Sequence, residues 1–249
     1  RRLRGGAPVS IFRLEVSRSP FSVAAPAIYV VATVFAVGSA PPRVASWTNV
    51  VFVLFNAQSF VVPLVAGVAA WSGLRAMRRR LAATENTSVR SRARIRMPQI
   101  AADASWVVAA SLAMVTALVV RGCVIGLTGV PVPVSIAYGV AVSVLFVLVG
   151  HLASMLIEHW AAIPVAVAVP LGLYAANTFG IGSASVLALN PLYRFAHLDP
   201  YEPSVPFYVG QLLVLAGYCA VVVLALGLGG KSRSWFATGL VAVATVPAV

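Results

Sequence analysis

The chain has 249 residues, of which 60% are hydrophobic and 10% charged, and its mean hydropathy of +0.94 excludes a soluble domain of this length. The core has lipid for its solvent. A net charge of +12 does not point to nucleic acid, because the basic residues are not interleaved with aromatics over one face; they sit at the edges of apolar runs, where lipid headgroups or an acidic partner protein supply the counter-charge.

The sequence opens on Arg1 rather than Met, and its first apolar run, near Phe21, lacks a small-residue cleavage site. The expectation is a part of a longer protein without a cleavable signal peptide. Val9 to Pro20 mixes Ile11, Phe12, Leu14 and Val16 with Arg13, Glu15 and Arg18, the pattern of a short helix lying at the inner membrane surface.

Six membrane spans follow from the apolar runs, each close to the length of about 20 residues that crosses the hydrocarbon layer. They are Phe21 to Ser39, Thr48 to Leu74, Ala104 to Val120, Ile136 to Ile157, Ala161 to Ser183 and Phe207 to Gly229. A six-span domain over 1–235 results, with a cytoplasmic loop over 75–103. The apolar stretch 236–249 reads as the truncated start of a seventh span. The predicted fold class is all-α, a polytopic membrane helical bundle with an N-terminal interfacial helix.

Eight arginines and one acid, Glu85, lie between Arg75 and Arg96. With both termini and this loop on one side, Arg1, Arg2, Arg4, Arg13, Arg18, Lys231 and Arg233 join them, and Arg43, Arg121 and Arg194 remain near the other. The positive-inside rule then puts the arginine loop, both ends of the unit and the turn Glu158 to Trp160 in the cytoplasm.

Catalytic chemistry finds little support. Leu226 to Ser232 ends in Gly-Gly-Lys-Ser but has Ala225 where a phosphate-binding loop needs its first glycine, and it closes an apolar span instead of joining a strand to a helix. Glu15, Glu85, Asp103, Glu158, Asp199 and Glu202 all read as loop or membrane-edge residues, which disfavours a proton- or sodium-driven carrier. His151 reads as an interhelical hydrogen bonder, in preference to a proton carrier. Asn56, Gln58, His151, Asn177 and Gln211 are the candidates for a translocation route, with hydrogen bonding between helices as the alternative for each. Arg121 snorkels to the far interface. Pro63, Pro164 and Pro170 are candidate kinks. Ser185 to Pro206, rich in aromatics, suits the outer headgroup level and could cover an exit; its His197, Asp199 and Glu202 lack the spacing of a metal site. Cys123 and Cys219 read as packing residues.

The layout of basic interfacial helix, six spans, a long charged loop after the second and a larger outer segment before the sixth resembles the type-2 ABC-transporter permease family, in its actinobacterial-like members. The loop carries the sharpest likeness, in Arg78-Arg79-Arg80, Thr84-Glu85 and Arg90-Ser91-Arg92. Where such members continue with Leu-Leu and Pro after the Thr-Glu element, this chain has Asn86-Thr87 and Val89. The resemblance implies a membrane subunit of an exporter that is not itself an enzyme. Its loop, through Arg78, Arg79, Arg80, Leu81, Thr84, Glu85, Val89 and Arg90, would couple to a separate ATPase subunit holding the ATP and Mg. It further implies a second permease unit, in a homo- or heterodimer, in a bacterial plasma membrane, with no cofactor in this chain and no nucleic-acid partner. The alternative is a non-transporting scaffold or accessory subunit of a membrane complex.

Overall fold

The structure is a computed structural model that describes residues 8–39, 47–76, 92–128, 133–179, 190–192 and 205–228. Its elements are α1 (Pro8–Arg18), α2 (Phe21–Ser39), α3 (Trp47–Ala76), α4 (Arg92–Val124), α5 (Pro133–Ile157), α6 (Ala162–Thr178) and α7 (Val205–Leu228). The fold is an all-α polytopic bundle, and no strand occurs among the described residues.

Five helices, α2, α3, α4, α5 and α7, are long and apolar enough to cross a membrane. That is one fewer than the sequence suggests. The run expected to span from Ala161 to Ser183 forms an α6 of 17 residues, about 25 Å at 1.5 Å per residue, the short limit for a crossing. The other boundaries agree within a few residues except at α4. That helix starts at Arg92, inside the stretch 75–103 expected as loop, and so carries Asp103 within a helix. Residues 77–91, with the coupling residues named above, and 236–249 lie outside the described residues, as do His197, Asp199 and Glu202. Pro63 and Pro170 fall inside α3 and α6 as expected, while Pro164 sits in the first turn of α6, where its missing N–H has no intrahelical carbonyl to meet.

Helices α3 and α5 form the centre. Their spanning windows are 67% and 56% buried, against 28% for α2, 33% for α4 and 22% for α7, which makes the latter three peripheral. In α2, Phe21, Ala25, Tyr29, Ala32 and Ala36 share the inward stripe, whereas Val23, Val30, Val31, Val34 and Phe35 are exposed, the division expected of a helix that meets protein on one side and lipid on the other. The central pair touches through small residues. A Cβ at Gly150 would collide with the Ala66 carbonyl oxygen and come within 2.7 Å of Ala69 Cβ and 3.0 Å of the Ala70 nitrogen. Lipid gives helices little hydrophobic reason to associate, so backbone contact of this kind and interhelical hydrogen bonds hold the pair.

At the end of the bundle away from the arginines, Trp47 N–H donates to the Thr128 carbonyl at 3.3 Å and the rings of Phe55, Tyr138 and Tyr208 cluster at 5.9 to 6.4 Å. Residues 190–192, part of the segment expected at the headgroup level, are buried. Tyr138 hydroxyl donates to the Pro191 carbonyl at 2.6 Å, and Asn190 Nδ2 to the Leu173 carbonyl at 2.9 Å. The chain here dips into the mouth of the bundle.

Candidate functional site: a buried carboxylate cluster at the basic end

Asp103 lies eleven residues into α4 and is fully buried. A carboxyl group in such a place needs hydrogen-bond partners to replace water, and three come from three other parts of the chain. Ser19 Oγ, in the two-residue link between α1 and α2, donates to Asp103 Oδ1 at 2.5 Å. Ser72 Oγ, in the penultimate turn of α3, donates to Oδ2 at 2.7 Å. His151 Nε2, on α5, lies 2.9 Å from the same Oδ2. One side chain thus ties α4 to the α1–α2 link, α3 and α5.

The surroundings fix the direction of the two serine bonds. Phe21 N–H donates to Ser19 Oγ at 3.1 Å, and Gln99 Nε2 donates to Ser72 Oγ and to the Ser72 carbonyl, both at 3.0 Å. Each serine therefore accepts from an N–H on one side and turns its own hydrogen toward Asp103. Local sequence makes this possible: Ser19 precedes Pro20 and Phe21 at the start of α2, where first-turn N–H groups seek a side-chain acceptor, and Gln99 lies one turn before Asp103 on the same helix. Trp106 adds a further tie by donating from Nε1 to the Val16 carbonyl at 2.9 Å, which fastens α1 to α4.

About 12 Å deeper, at eight residues along both α4 and α5, lies a second polar layer. Ser111 Oγ donates to the Tyr29 hydroxyl at 2.7 Å and Ser143 Oγ to Gln58 Oε1 at 2.8 Å; Tyr29 is also within hydrogen-bonding reach of Ser143 and Gln58. Gln58 Nε2 has no partner among the described residues.

The candidate route residues are not gathered into one site. Gln58 belongs to the deeper layer and His151 to the carboxylate cluster. Asn177 is buried in the last turn of α6 with neither amide atom bonded among the described residues, and Gln211 is buried in the second turn of α7. Asn56 is half-buried and its carbonyl accepts from Ser59. Sequence reasoning missed Asp103, Ser19, Ser72 and Gln99. It placed Asp103 at a membrane edge in a loop; the edge is right, but the residue is inside the bundle and paired with His151. The expectation that every acid lies clear of the core is corrected at this residue, whereas His151 makes an interhelical hydrogen bond as expected, to Asp103. The available signal was Ser72, Gln99 and Asp103 all flanking the arginine loop, with Gln99 and Asp103 four residues apart on one helix face.

Among the described residues, no group of three or more His, Cys, Asp or Glu is placed to hold a metal ion. Comparisons of the chain with protein-family models, with curated proteins and with solved structures found no match.

Proposed function

We propose that the chain is the membrane subunit of an ABC transporter, an exporter of a bacterial plasma membrane, with its termini and the segment 77–91 in the cytoplasm. The reading rests on the resemblance in that segment. The structural observation that favours it is the clamp at the segment's roots: Ser72 and Gln99, five residues before 77 and eight after 91, are joined to each other, and Ser72 is joined to Asp103. A pull on 77–91 by a docked ATPase would therefore reach α3 and α5, the central pair, through Asp103. Nucleotide chemistry belongs to the partner; this chain transmits displacement. Cargo would pass between two such units, meeting Gln58 Nε2 and the Asn177 amide, which have no hydrogen-bond partner among the described residues.

A second reading, a non-transporting subunit of a membrane complex, draws on the deeper polar layer, where Tyr29, Ser111, Ser143 and Gln58 Oε1 are turned toward one another. Purification of the tagged chain from its native membrane separates the two. Under the permease reading an ATPase subunit co-purifies and is lost on Arg78→Gln, Arg79→Gln, Arg80→Gln and Glu85→Ala substitution. Recovery of other membrane proteins and no ATPase would move the assignment to the scaffold.

A further inference from the structure

On α3 the residues turned away from the bundle follow one row. Phe60, Leu64 and Trp71 are exposed, at spacings of four and seven that keep them on one side of a helix. One turn before Phe60 the same row carries Asn56, which is half-buried. Its backbone carbonyl accepts from Ser59 Oγ at 2.7 Å, but its side-chain amide makes no hydrogen bond among the described residues. The spanning part of α3 is Val50–Arg75, and Asn56 lies about 10 Å from its middle at 1.5 Å per residue. That is inside the half-thickness of about 15 Å of the hydrocarbon layer. A carboxamide has two N–H donors and a carbonyl acceptor, and lipid offers partners to neither.

The neighbouring surface leaves room for a second helix. Phe35 of α2 and Phe60 of α3 meet edge to face at 5.0 Å, and both are exposed. One turn from that pair toward the end away from the arginines, α3 has Asn56 and α2 has Gly38. Gly38 is exposed, and a Cβ there would meet nothing within 4 Å. The seam between α2 and α3 thus brings an absent side chain and an unbonded amide to a similar depth. Small residues of this kind let the backbone of another helix approach closely, and polar side chains then bond across the contact.

Membrane symmetry selects the occupant. Two copies inserted with the same orientation are related by a twofold axis along the membrane normal, so a residue near the axis meets its own copy at its own depth. A group that only donates or only accepts would be left unsatisfied there. A carboxamide is satisfied by a second carboxamide, and the residues around Asn56 on the seam, Phe35, Phe60 and Leu64, carry no charge to repel their copies. We infer that two copies of this chain pair through the α2–α3 seam, each Asn56 amide donating to the side-chain carbonyl of the other. The pairing does not rest on the permease reading, which asks for a second unit but names no surface for it and equally allows a different chain.

The test is association of the full chain in lipid vesicles, read by energy transfer between donor and acceptor fluorophores on the exposed Cys123 in a Cys219→Ala background, over a range of protein-to-lipid ratios. Transfer should fall on dilution with lipid. Asn56→Leu should raise the dissociation constant about 10- to 300-fold, the effect of losing two interhelical hydrogen bonds, and Asn56→Gln, which keeps the carboxamide, should raise it less. Gly38→Leu fills the open seam without meeting another part of the same chain and should also weaken association; circular dichroism checks that each variant is helical. A wild-type chain that stays monomeric at every ratio, or association unaltered by Asn56→Leu, would overturn the inference; if that variant does not fold, association unaltered by Gly38→Leu would do so. No ATPase takes part in this assay, so its failure and that of the permease reading are distinguishable.

Discussion

His151→Leu and Asp103→Leu, alone and together, measure how far the buried pair acts as a unit. Removing His151 leaves a carboxyl group with 0% exposure held, among the described residues, by two serine hydroxyls, and breaking a buried pair in this way costs about 3–5 kcal/mol. Removing Asp103 leaves the hydroxyls of Ser19 and Ser72 and the imidazole without their acceptor. These groups are buried and each costs about 1–3 kcal/mol when left unsatisfied, so a similar total of about 3–5 kcal/mol follows. Independent effects would sum to about 6–10 kcal/mol. The double variant instead replaces the pair by two apolar side chains, and its cost should fall to about 2–4 kcal/mol, set by the serine hydroxyls seeking carbonyls on their own helices. The coupling energy should therefore be at least about 2 kcal/mol. Reversible unfolding of the four proteins in mixed micelles gives the cycle. Single costs that add to within about 0.5 kcal/mol of the double would show that Asp103 and His151 do not depend on each other and would refute the electrostatic account of the cluster.

At the central contact, Gly150→Ala must push a methyl group against the backbone of α3 and should destabilise by about 1–3 kcal/mol, while Gly172→Ala on α6, with nothing within 4 Å, should change stability by no more than about 0.5 kcal/mol; the same unfolding assay compares them. Tyr29→Phe deletes one hydroxyl from the deeper layer and should cost about 0.6–1.7 kcal/mol, the range of interhelical hydrogen bonds in membranes. Cys123 is exposed near the end of α4 opposite the arginines, and Cys219 is half-buried within α7. A membrane-impermeant maleimide applied to whole cells should label Cys123 and spare Cys219; labelling of Cys123 only after lysis would invert the proposed orientation.

How much of this was legible depended on the length scale of the signal. Apolar runs of about twenty residues or more specify helices through hydropathy alone, which is why α2, α3, α5 and α7 lie within a few residues of their expected limits. At α4 the same rule misled. Arg92, Arg94 and Arg96 lower the hydropathy of the first turns, yet they continue the helix because a backbone there loses nothing by hydrogen bonding to itself and arginine is a good helix former. The polar cluster was hidden for a different reason. Ser19, Ser72, Asp103 and His151 come from four separate parts of the chain, 31 to 53 residues apart in succession, and only the packing of α3 against α5 fixes which residues face each other. One sequence carries no trace of that pairing beyond the small residues that allow it.

The distribution of polar contacts also says where the bundle can give way. At the basic end α1, the α1–α2 link, α3, α4 and α5 are joined by directional bonds, most of them through Asp103. Helix α7 meets the same end with Ala225 and Leu226 against Ile100, Leu148 and Leu152, an apolar contact that lipid tails can replace at little cost. It is also the least buried of the five long helices, at 22%. A displacement entering through the roots of segment 77–91 would therefore carry the Asp103-linked helices as one body and slide them past α7, the part of the bundle least able to resist. Loosening the cluster by Ser72→Ala divides that body and dissipates the displacement at α3. Under the permease proposal, Ser72→Ala should thus leave ATPase binding intact while lowering transport per ATP hydrolysed, as measured with the reconstituted complex. A variant that transports at the wild-type ratio would show that the cluster stabilises the fold without transmitting motion.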